Sequence, residues 1–529
     1  MRHWSRRWKA FSGLLLTALF AAGSAVPAEA GAPNFPPADS LYHNYPEMVA
    51  HIHDVAAAHP DIVKLFNLGS SYLGRTIWAA KVSDNVAIDE TEPEVLFDGL
   101  HHAAEYMSAE MTIYILNLLT SNYGGTGALG QRVTSLVNSR EIWIVFMVNP
   151  DGFQYSLTGN PYRPWRKNRQ PTPGSTYVGT DLNRNYDFHW GCCGGSSPNP
   201  GNADYRGPHA FSAPETQVMH DFILSRIVGG RQQIRVGITF HIPGRLVLWP
   251  YGYTSVDVPP DMTKLDQKTY VALGKAMAAR NGYQPLQWGD GRRTSGSAMD
   301  WQYGTQRIFS FLVELGQSDH IPDEKIKSET SRNRDAILYL IEMAACPYAA
   351  IGGSVPFCGP FFDDLEVDRG WKTDPDTTDT ATDGSWTRGI PKADGLQLST
   401  AISGQSVLAT GLAPGHDVDG GTTTVRSPVV HVPAGGASLH LRYWVGLGAG
   451  ATENDAFMVR LVAPNGTALA TALTVKGDGT TRAPHWQTLS YHLPGALAGK
   501  SVSIELLARD AGADSTVEAG VDQVRVTAP

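Results

Sequence analysis

Hydrophobic and polar positions follow two different patterns along the chain. Up to residue 350, short apolar runs typical of buried strands alternate with longer segments of helical period. Strands are predicted over 95–98, 141–148, 233–240 and 308–313. Helices are predicted over 103–120, 214–228, 262–280 and 323–345. A turn is expected at 149–152, directly after the second strand. This alternation predicts an α/β fold, a sheet with helices on its faces.

The pattern changes near Gly352-Gly353-Ser354. From residue 355 onward no long helical period appears, and short apolar runs are separated by Gly, Pro, Asp and Thr. The clearest of these runs are 438–445, 457–462 and 501–507. Such spacing is typical of an all-β sandwich or jelly roll. We therefore expect two domains, one covering 31–350 and the other covering 356–529.

The N-terminus has the pattern of a signal peptide. Residues 2–9 carry four basic side chains and no acidic one, and an apolar stretch follows over 11–26. Small residues then end in Ala28-Glu29-Ala30, which predicts cleavage after Ala30 and a signal peptide over 1–30. The alternative, a membrane anchor, would need a longer apolar stretch. We expect a secreted, extracellular protein.

Composition narrows the class of protein further. Hydrophobic residues make up 42% and charged residues 18% of the 529 residues, which is globular and excludes a wholly disordered chain. The formal net charge of −9 argues against broad electrostatic binding of nucleic acid. No apolar run after the N-terminus is long enough to span a membrane. We expect a monomer without a transmembrane anchor.

The first candidate for chemistry lies between the predicted strand 95–98 and the helix after it. His102 and Glu105 are three residues apart, and the pattern predicts them on one face of the first helical turn. One imidazole and one carboxylate suit Zn²⁺. By itself the H-x-x-E spacing is weak, because most such pairs are surface residues of helices.

Two further candidates end predicted strands. His241 follows the alternating apolar positions of 233–240, and Glu314 follows the apolar run 308–313. Each has an ordinary alternative, a rim histidine or a structurally paired carboxylate. In sheets of this class the functional site lies beyond the carboxyl ends of the strands. Both residues are therefore placed where a site is expected.

A dense polar stretch adds positive charge to an otherwise acidic protein. It runs over 163–169 and 181–186 and includes Arg163, Arg166 and Arg184. In isolation a solvated loop is the first interpretation. Beside a carboxylate and histidines the stretch favours an anion pocket, since arginine pairs bidentately with carboxylates.

These residues stand in an ordered set of motifs. The motifs are DGLHHAAE, NPDGF, RPWRKNR, DLNRNYD, YRGPHAFSAPE, FHIPGRLVLWPYGY, SGSAMDW and FLVELG. With this set the chain resembles the zinc carboxypeptidase family, of the carboxypeptidase A and carboxypeptidase T type, over about residues 40–345. The resemblance implies a mixed sheet flanked by helices and a zinc exopeptidase that cleaves peptides or proteins with a free C-terminus.

The resemblance also implies a role for each candidate residue. His102, Glu105 and His241 resemble the zinc ligands, and Glu314 resembles the general acid/base that acts on a zinc-activated water. Five residues resemble groups that contact the substrate: Arg166 at the scissile carbonyl, Asn183 and Arg184 at the terminal carboxylate, Arg163 on its entry path, and Met299 where a residue selects the side chain. Met299 has core packing as its alternative, and since it is uncharged it disfavours strict selection of basic C-terminal residues.

Three positions depart from the family pattern. The substrate-capping tyrosine of the family is replaced by Arg292, an aromatic position by Pro243, and the arginine within H-x-x-E by Ala104. All three affect substrate binding rather than zinc. A peptidoglycan stem-peptide carboxypeptidase, or a weakly active or non-catalytic binding protein, therefore remains an alternative to the peptide carboxypeptidase.

The four cysteines are too few to build a fold from disulfides. Cys346 and Cys358 flank the domain junction, and a disulfide between them is favoured for a secreted protein. Cys192 and Cys193 are adjacent, and either a vicinal disulfide or two free thiols fits.

The second domain opens with an acidic run over 363–383. Its carboxylates could hold a structural Ca²⁺ or simply form a solvated loop. Five aromatic residues of this domain could stack on sugars or fill the core: Trp371, Trp386, Tyr443, Trp444 and Trp486.

Overall fold

The computed structural model describes residues 33–90, 92–160, 162–228, 231–352, 358–366, 368–511 and 515–528. The predicted signal peptide, 1–30, lies outside the described residues. The α-helices are α1 Tyr45–Ala58, α2 Tyr106–Asn122, α3 Ala128–Val137, α4 Pro150–Ser156, α5 Pro214–Ser225, α6 Lys264–Asn281, α7 Trp288–Gly291, α8 Ala298–Gln306, α9 Ile326–Arg332 and α10 Arg334–Met343.

The strands of the first region are β1 Val63–Ser70, β2 Thr76–Val82, β3 Glu94–Gly99, β4 Glu141–Val145, β5 Ile227–Val228, β6 Arg231–Gln232, β7 Ile234–His241, β8 Leu246–Trp249, β9 Gln284–Gln287 and β10 Phe309–Glu314. The first region contains an eight-stranded sheet in the order β1-β2-β4-β3-β7-β10-β8-β9, while β5 and β6 pair separately. The central strands β4, β3, β7 and β10 are parallel neighbours, and β1, β2 and β8 add antiparallel pairs. The sheet is therefore mixed, and helices flank it, as the sequence predicts.

The central strands are buried along almost their whole length, because helices cover the sheet. β3 and β4 expose no residue, and the large apolar core includes side chains from α2, α6 and α10. A second apolar cluster lies around Trp143 and Trp301, with α5 contributing Phe222. Continuous apolar runs rather than alternation are expected for such strands.

Several predicted boundaries are wrong in detail. The strand predicted over 141–148 ends at Val145, and the turn predicted over 149–152 is the start of α4, where Asn149 Oδ1 accepts from the Gly152 amide at 3.0 Å. An asparagine N-cap followed by proline starts a helix as readily as a turn, which explains the error. The helix predicted over 323–345 is divided into a 3₁₀ turn, α9 and α10.

The second region contains two antiparallel sheets and belongs to the all-β class. Its strands are β11 Phe361–Asp363, β12 Lys372–Thr373, β13 Trp386–Gly389, β14 Val407–Thr410, β15 Gly421–Arg426, β16 Val430–His431, β17 Ser438–Leu447, β18 Ala456–Val462, β19 Ala468–Lys476, β20 Gln487–His492, β21 Ser501–Asp510 and β22 Val517–Thr527. One sheet has the order β13-β14-β22-β17-β20 with β11 on β22, and the other β12-β15-β21-β18-β19 with β16 on β21. Side chains from both sheets form one core, as in a sandwich.

The aromatic residues of the second region mostly fill cores. Trp386, Tyr443 and Trp444 are 2%, 7% and 0% exposed, so they offer no face to a sugar. Trp371 packs partly buried against the main core, and Trp486 packs against a smaller cluster around Trp444. The core-packing alternative therefore describes them better than sugar stacking.

The acidic run of the second region is engaged within the protein. Asp376 pairs with Arg426, and Asp379 accepts the Thr424 amide and hydroxyl at 2.7 Å each. Among the described residues of this run, no three carboxylates bring ligand atoms together in the manner of a metal site. The structural Ca²⁺ stays a prediction.

Both pairs of cysteines form disulfides. Cys346 is bonded to Cys358, as predicted, and Cys192 is bonded to its neighbour Cys193. Within the described residues, no helix is both long and apolar enough to cross a membrane.

Candidate active site

Three parallel strands end side by side at one edge of the mixed sheet. β3 ends at Gly99, β7 at His241 and β10 at Glu314. The register pairs Glu314 with His241 and Gly99 with Phe240. This alignment places His241 beside Glu314 and beside the segment that follows β3. The candidate residues therefore meet where the sheet's carboxyl ends predict a site.

His102 and Glu105 lie in a turn that precedes α2, not on the first turn of the helix. The Glu105 amide donates to the His102 carbonyl at 3.2 Å, and Glu105 has non-helical torsion angles (φ −90°, ψ 58°). The helix packs closely on the end of β3, since a Cβ at Gly99 would lie 2.6 Å from the Ser108 carbonyl oxygen. The predicted helical placement is wrong, although the pair does share one side of the turn.

The turn brings both side chains to His241. His102 Nδ1 lies 2.7 Å from Glu105 Oε1, and His241 Nδ1 lies 2.7 Å from Glu105 Oε2. The two histidine Nδ1 atoms are 3.1 Å apart. Each residue offers one ligand atom, and these three atoms lie within 4.8 Å of one another. Two imidazole nitrogens and a carboxylate converging in this way are a donor set that fits Zn²⁺.

Burial and neighbouring charges shift the pKa values of this cluster toward the protonation states that bind a cation. Burial lowers the pKa of His241 to about 4, although Glu105 opposes the shift, so the ring is neutral near neutral pH. Burial alone would raise the pKa of Glu105, but His102 and His241 hold it below its usual range. A neutral imidazole and an ionised carboxylate are the forms that bind metals.

Asp181 orients two of the predicted site residues, a role that sequence reasoning missed. Its Oδ1 lies 3.1 Å from His102 Nε2, and its Oδ2 accepts from Arg166 Nε at 2.8 Å. A carboxylate on the second nitrogen of a histidine fixes the ring and directs the other nitrogen toward a metal. The only available signal was an aspartate two residues before Asn183, in a stretch that already looked polar.

Arg166 and Asn183 border the cluster. Arg166 Nη1 lies 3.9 Å from Glu105 Oε1, and its side chain is 31% exposed. Asn183 Nδ2 lies 3.3 Å from His241 Nε2, and Asn183 Oδ1 accepts from the Ala298 amide at 2.9 Å. The structure therefore brings both residues to the cluster, as predicted.

Arg184 is a buried cation, and no carboxylate of the described residues is hydrogen-bonded to it. It is 2% exposed, its Nη1 donates to the Asn183 carbonyl at 2.7 Å, and its guanidinium lies 5.8 Å from the ring of Trp288. Burial lowers the pKa of Arg184 to about 10, which still leaves it charged at neutral pH. A buried cation of this kind is stabilised by an incoming anion.

Glu314 has an unused acceptor. Its Oε2 is buried and, within the described part of the chain, has no hydrogen-bond partner. Burial and the charge of Glu105 raise the pKa of Glu314, while Arg166 and Arg184 oppose the rise. A carboxylate next to the metal-ligating cluster, with a free oxygen and a raised pKa, is suited to exchange protons with a reacting group.

Arg163 lies outside this cluster. Its side chain is exposed, its Nε donates to the Thr158 hydroxyl at 2.9 Å, and its guanidinium lies 5.0 Å from the ring of Tyr155. These contacts neither support nor oppose a role on the path of a substrate into the site.

Met299 has no exposed surface. It packs with Leu248 and Leu312, and Trp288 lies against this small cluster. Because Trp288 also stacks with Arg184, the apolar cluster adjoins the predicted carboxylate pocket. Met299 is therefore packed in the interior, which agrees with the core-packing alternative. Trp288, which sequence reasoning missed, is the large side chain that contacts both this apolar cluster and Arg184.

Two of the three positions that depart from the family pattern are exposed. Arg292 is 69% exposed, with its Nη2 3.8 Å from Asp204 Oδ2, and Pro243 is exposed. Ala104 is half-buried in the turn between His102 and Glu105.

Comparison with known proteins agrees with this geometry. The sequence pattern of the zinc carboxypeptidase family, peptidase M14, matches residues 48–336, more than half of the chain. A zinc carboxypeptidase of Saccharothrix mutabilis subsp. capreolus is 39% identical over 329 residues, which cover 61% of this chain and 74% of that protein. Carboxypeptidase A1 of Rattus norvegicus is 32% identical, and the match covers 52% of this chain and 62% of that protein.

Solved structures share the fold of the first region. A crystal structure of thrombin activatable fibrinolysis inhibitor matches with a TM-score of 0.52 at 24% identity, covering 58% of this chain and 75% of that one. Carboxypeptidase A from Helicoverpa armigera matches with a TM-score of 0.50 at 24% identity, covering 59% and 75%. With the family pattern and a relative at 39% identity, the chain belongs to the zinc carboxypeptidase family and is a metallocarboxypeptidase.

Proposed function

We propose that this metallocarboxypeptidase removes the C-terminal residue of peptides and proteins that carry a free carboxylate. One observation carries the proposal: the buried Arg184, which forms no ion pair among the described residues, lies in the same site as the converging atoms of His102, Glu105 and His241. A buried guanidinium beside a metal-binding cluster can pair with the terminal carboxylate of a substrate. It therefore favours cleavage at a chain end over cleavage of an internal peptide bond.

In the proposed reaction His102, Glu105 and His241 hold one zinc ion. When bound, zinc supplies a Lewis acid that polarises a carbonyl and lowers the pKa of water to about 7. Glu314 takes the proton from the attacking water and passes it to the leaving amine, using the oxygen that has no partner within the described residues. Arg166 donates hydrogen bonds to the oxygen on which negative charge develops.

Asn183 and Arg184 bind the terminal carboxylate of the substrate in this proposal. The backbone of Ala298 and the carbonyl of Asn183 hold the two side chains in place, so little ordering is needed when the substrate binds. Trp288 and the apolar cluster behind Met299 form an uncharged wall next to Arg184. We therefore propose that uncharged C-terminal residues are accepted and that basic ones are not strictly required.

Replacing Arg184 by Ala should raise KM for a free-acid peptide by about 10- to 100-fold, since a charge-assisted hydrogen bond to the substrate contributes roughly 1.5–3 kcal/mol. The measurement compares the release of the last residue from a peptide and from its C-terminal amide. The native enzyme should strongly prefer the free acid, and Arg184→Ala should lose most of that preference.

The matched control is Arg280→Ala, which removes an exposed arginine from α6 and should leave both rates unchanged. Equal cleavage of the acid and the amide by the native enzyme would refute selection of the free C-terminus. Cleavage at internal bonds would refute the exopeptidase altogether.

Secretion, the two domains and the oligomeric state are proposed from the sequence. We propose secretion through the signal peptide 1–30, a catalytic domain over 31–350 and an accessory domain over 356–529, in a monomer. The non-catalytic alternative is disfavoured, because the residues needed for chemistry are present and meet in one site. A preference for peptidoglycan stem peptides stays a prediction, as nothing in this geometry distinguishes those chains from other peptides.

A further inference from the structure

A cavity separates the α/β region from the second region, far from the candidate active site. Its volume is about 60 Å³, and its charged lining comprises Arg235 of β7, Arg307 after α8, Arg369 of the second region and Asp266 of α6. Arg235 is near the start of β7, whose last residue is His241. Six steps along a strand span roughly 20 Å, so the cavity lies at the opposite edge of the sheet from the metal-ligating cluster.

Arg235 is the least satisfied of the three arginines in the part of the cavity lining that the structure describes. Its Nε is buried without a hydrogen bond, and within the described residues no carboxylate forms an ion pair with its guanidinium. Burial, together with the nearby charge of Arg369, lowers the pKa of Arg235 to about 10. The side chain is half-buried and still charged at neutral pH, and a partly desolvated charge is stabilised by a bound counter-ion.

Two of the carboxylates around the cavity accept hydrogen bonds from neutral donors. Asp266 accepts the hydroxyl hydrogens of Tyr303 at 2.8 Å and Tyr348 at 2.7 Å. Asp363 accepts from Trp371 Nε1 at 2.8 Å. These bonds occupy acceptor positions that guanidinium groups would otherwise take, while the buried Asp364 raises the pKa of Arg307 by its charge.

The other two arginines are only partly satisfied. Arg307 donates from Nη1 to the Asp261 carbonyl at 2.8 Å and stacks over Tyr303 with its guanidinium carbon 4.9 Å from the ring centre, while its Nε is buried without a hydrogen bond. Arg369 Nε is 3.5 Å from Asp363 Oδ1, which is an ion pair rather than a hydrogen bond. The described lining of the cavity thus has three guanidinium groups and one carboxylate.

We propose that this cavity binds a small oxyanion of the sulfate or phosphate type. The planar forks of guanidinium groups match the oxygens of such an ion, and the volume exceeds what one buried water needs. The ion would connect Arg369 of the second region with Arg235 and Arg307 of the first. Its role is to hold the accessory region against the catalytic region, and it involves no residue of the proposed zinc site.

The test is thermal unfolding of the full, zinc-loaded chain while sodium chloride is replaced by sodium sulfate at constant ionic strength. We expect Tm to rise and then level off as the site fills, because a ligand that binds only the folded state stabilises it. Arg235→Gln and Arg369→Gln should each abolish the saturable part of the rise. Arg388→Gln, which removes an exposed arginine of the second region, should keep it.

Isothermal titration of sulfate into the native protein gives an independent measurement that needs no variant. We expect saturable binding of one sulfate per chain, and inorganic phosphate should compete for the same site. Absence of saturable binding to the native protein would overturn the proposal, as would undiminished binding by folded Arg235→Gln and Arg369→Gln proteins. A purely linear rise of Tm with sulfate in all variants would show a general salt effect and would equally refute the site.

Discussion

Replacing Glu314 by Gln should reduce turnover of a short peptide by about 10²- to 10⁴-fold and leave zinc bound, because general acid–base catalysis contributes roughly that factor. Glutamine has nearly the same size but cannot accept the proton of the attacking water. Glu314 is not one of the three residues whose ligand atoms converge, so the metal-binding cluster should remain intact. The loss should appear in kcat more than in KM, since the missing interaction acts in the transition state.

The measurement is the rate at which the last residue is released from the peptide, together with zinc content on the same sample. The control is Glu342→Gln, which makes the same change of side chain on α10, outside the candidate active site. It should keep native turnover. Near-native turnover of Glu314→Gln would show that another group transfers the proton. Loss of zinc in this variant would instead place Glu314 among the ligands.

Replacing His241 by Ala should abolish stable zinc binding and reduce activity to that of the chelated protein. His241 supplies one of three converging ligand atoms, and the two that remain cannot complete the protein part of a zinc site. His241 is also buried between Glu105 and Asn183, so the variant should lose some stability as well. Far-ultraviolet circular dichroism should therefore accompany the metal analysis.

The matched control is His431→Ala, which removes an exposed histidine of the second region. It should bind zinc and hydrolyse peptides as the native protein does. A folded His241→Ala protein with full zinc occupancy and native activity would exclude His241 as a ligand.

Much of the fold follows from apolar periodicity. The apolar runs around 95–98 and 308–313 predicted β3 and β10 closely, because buried parallel strands are typically continuous apolar sequence. The alternating apolar positions of 233–240 predicted β7. The strands β8 and β9 were not predicted. They are four residues each, and Pro285 interrupts the second, so neither produces a readable pattern.

The site could be predicted only where a residue type stands in a motif or at a strand end. His241 and Glu314 were accessible in this way, and the register that joins them confirms that placement. Asp181 and Trp288 were not, since a loop aspartate and a tryptophan on a four-residue helix gain meaning only from tertiary contacts. The cavity at Arg235 could not be predicted for the same reason. A single arginine on a strand does not indicate a binding site, and only the folded structure brings Arg369 close to it.

Zinc titration of the metal-free protein tests zinc-dependent hydrolysis at the C-terminus most directly. The protein is stripped with a chelator, zinc is added back in steps, and release of the last residue from a free-acid peptide is measured at each step. If His102, Glu105 and His241 hold the zinc that hydrolysis requires, activity will be absent at first, rise in proportion to zinc and level off at one zinc per chain. Undiminished hydrolysis by the metal-free protein would contradict a zinc carboxypeptidase at this site.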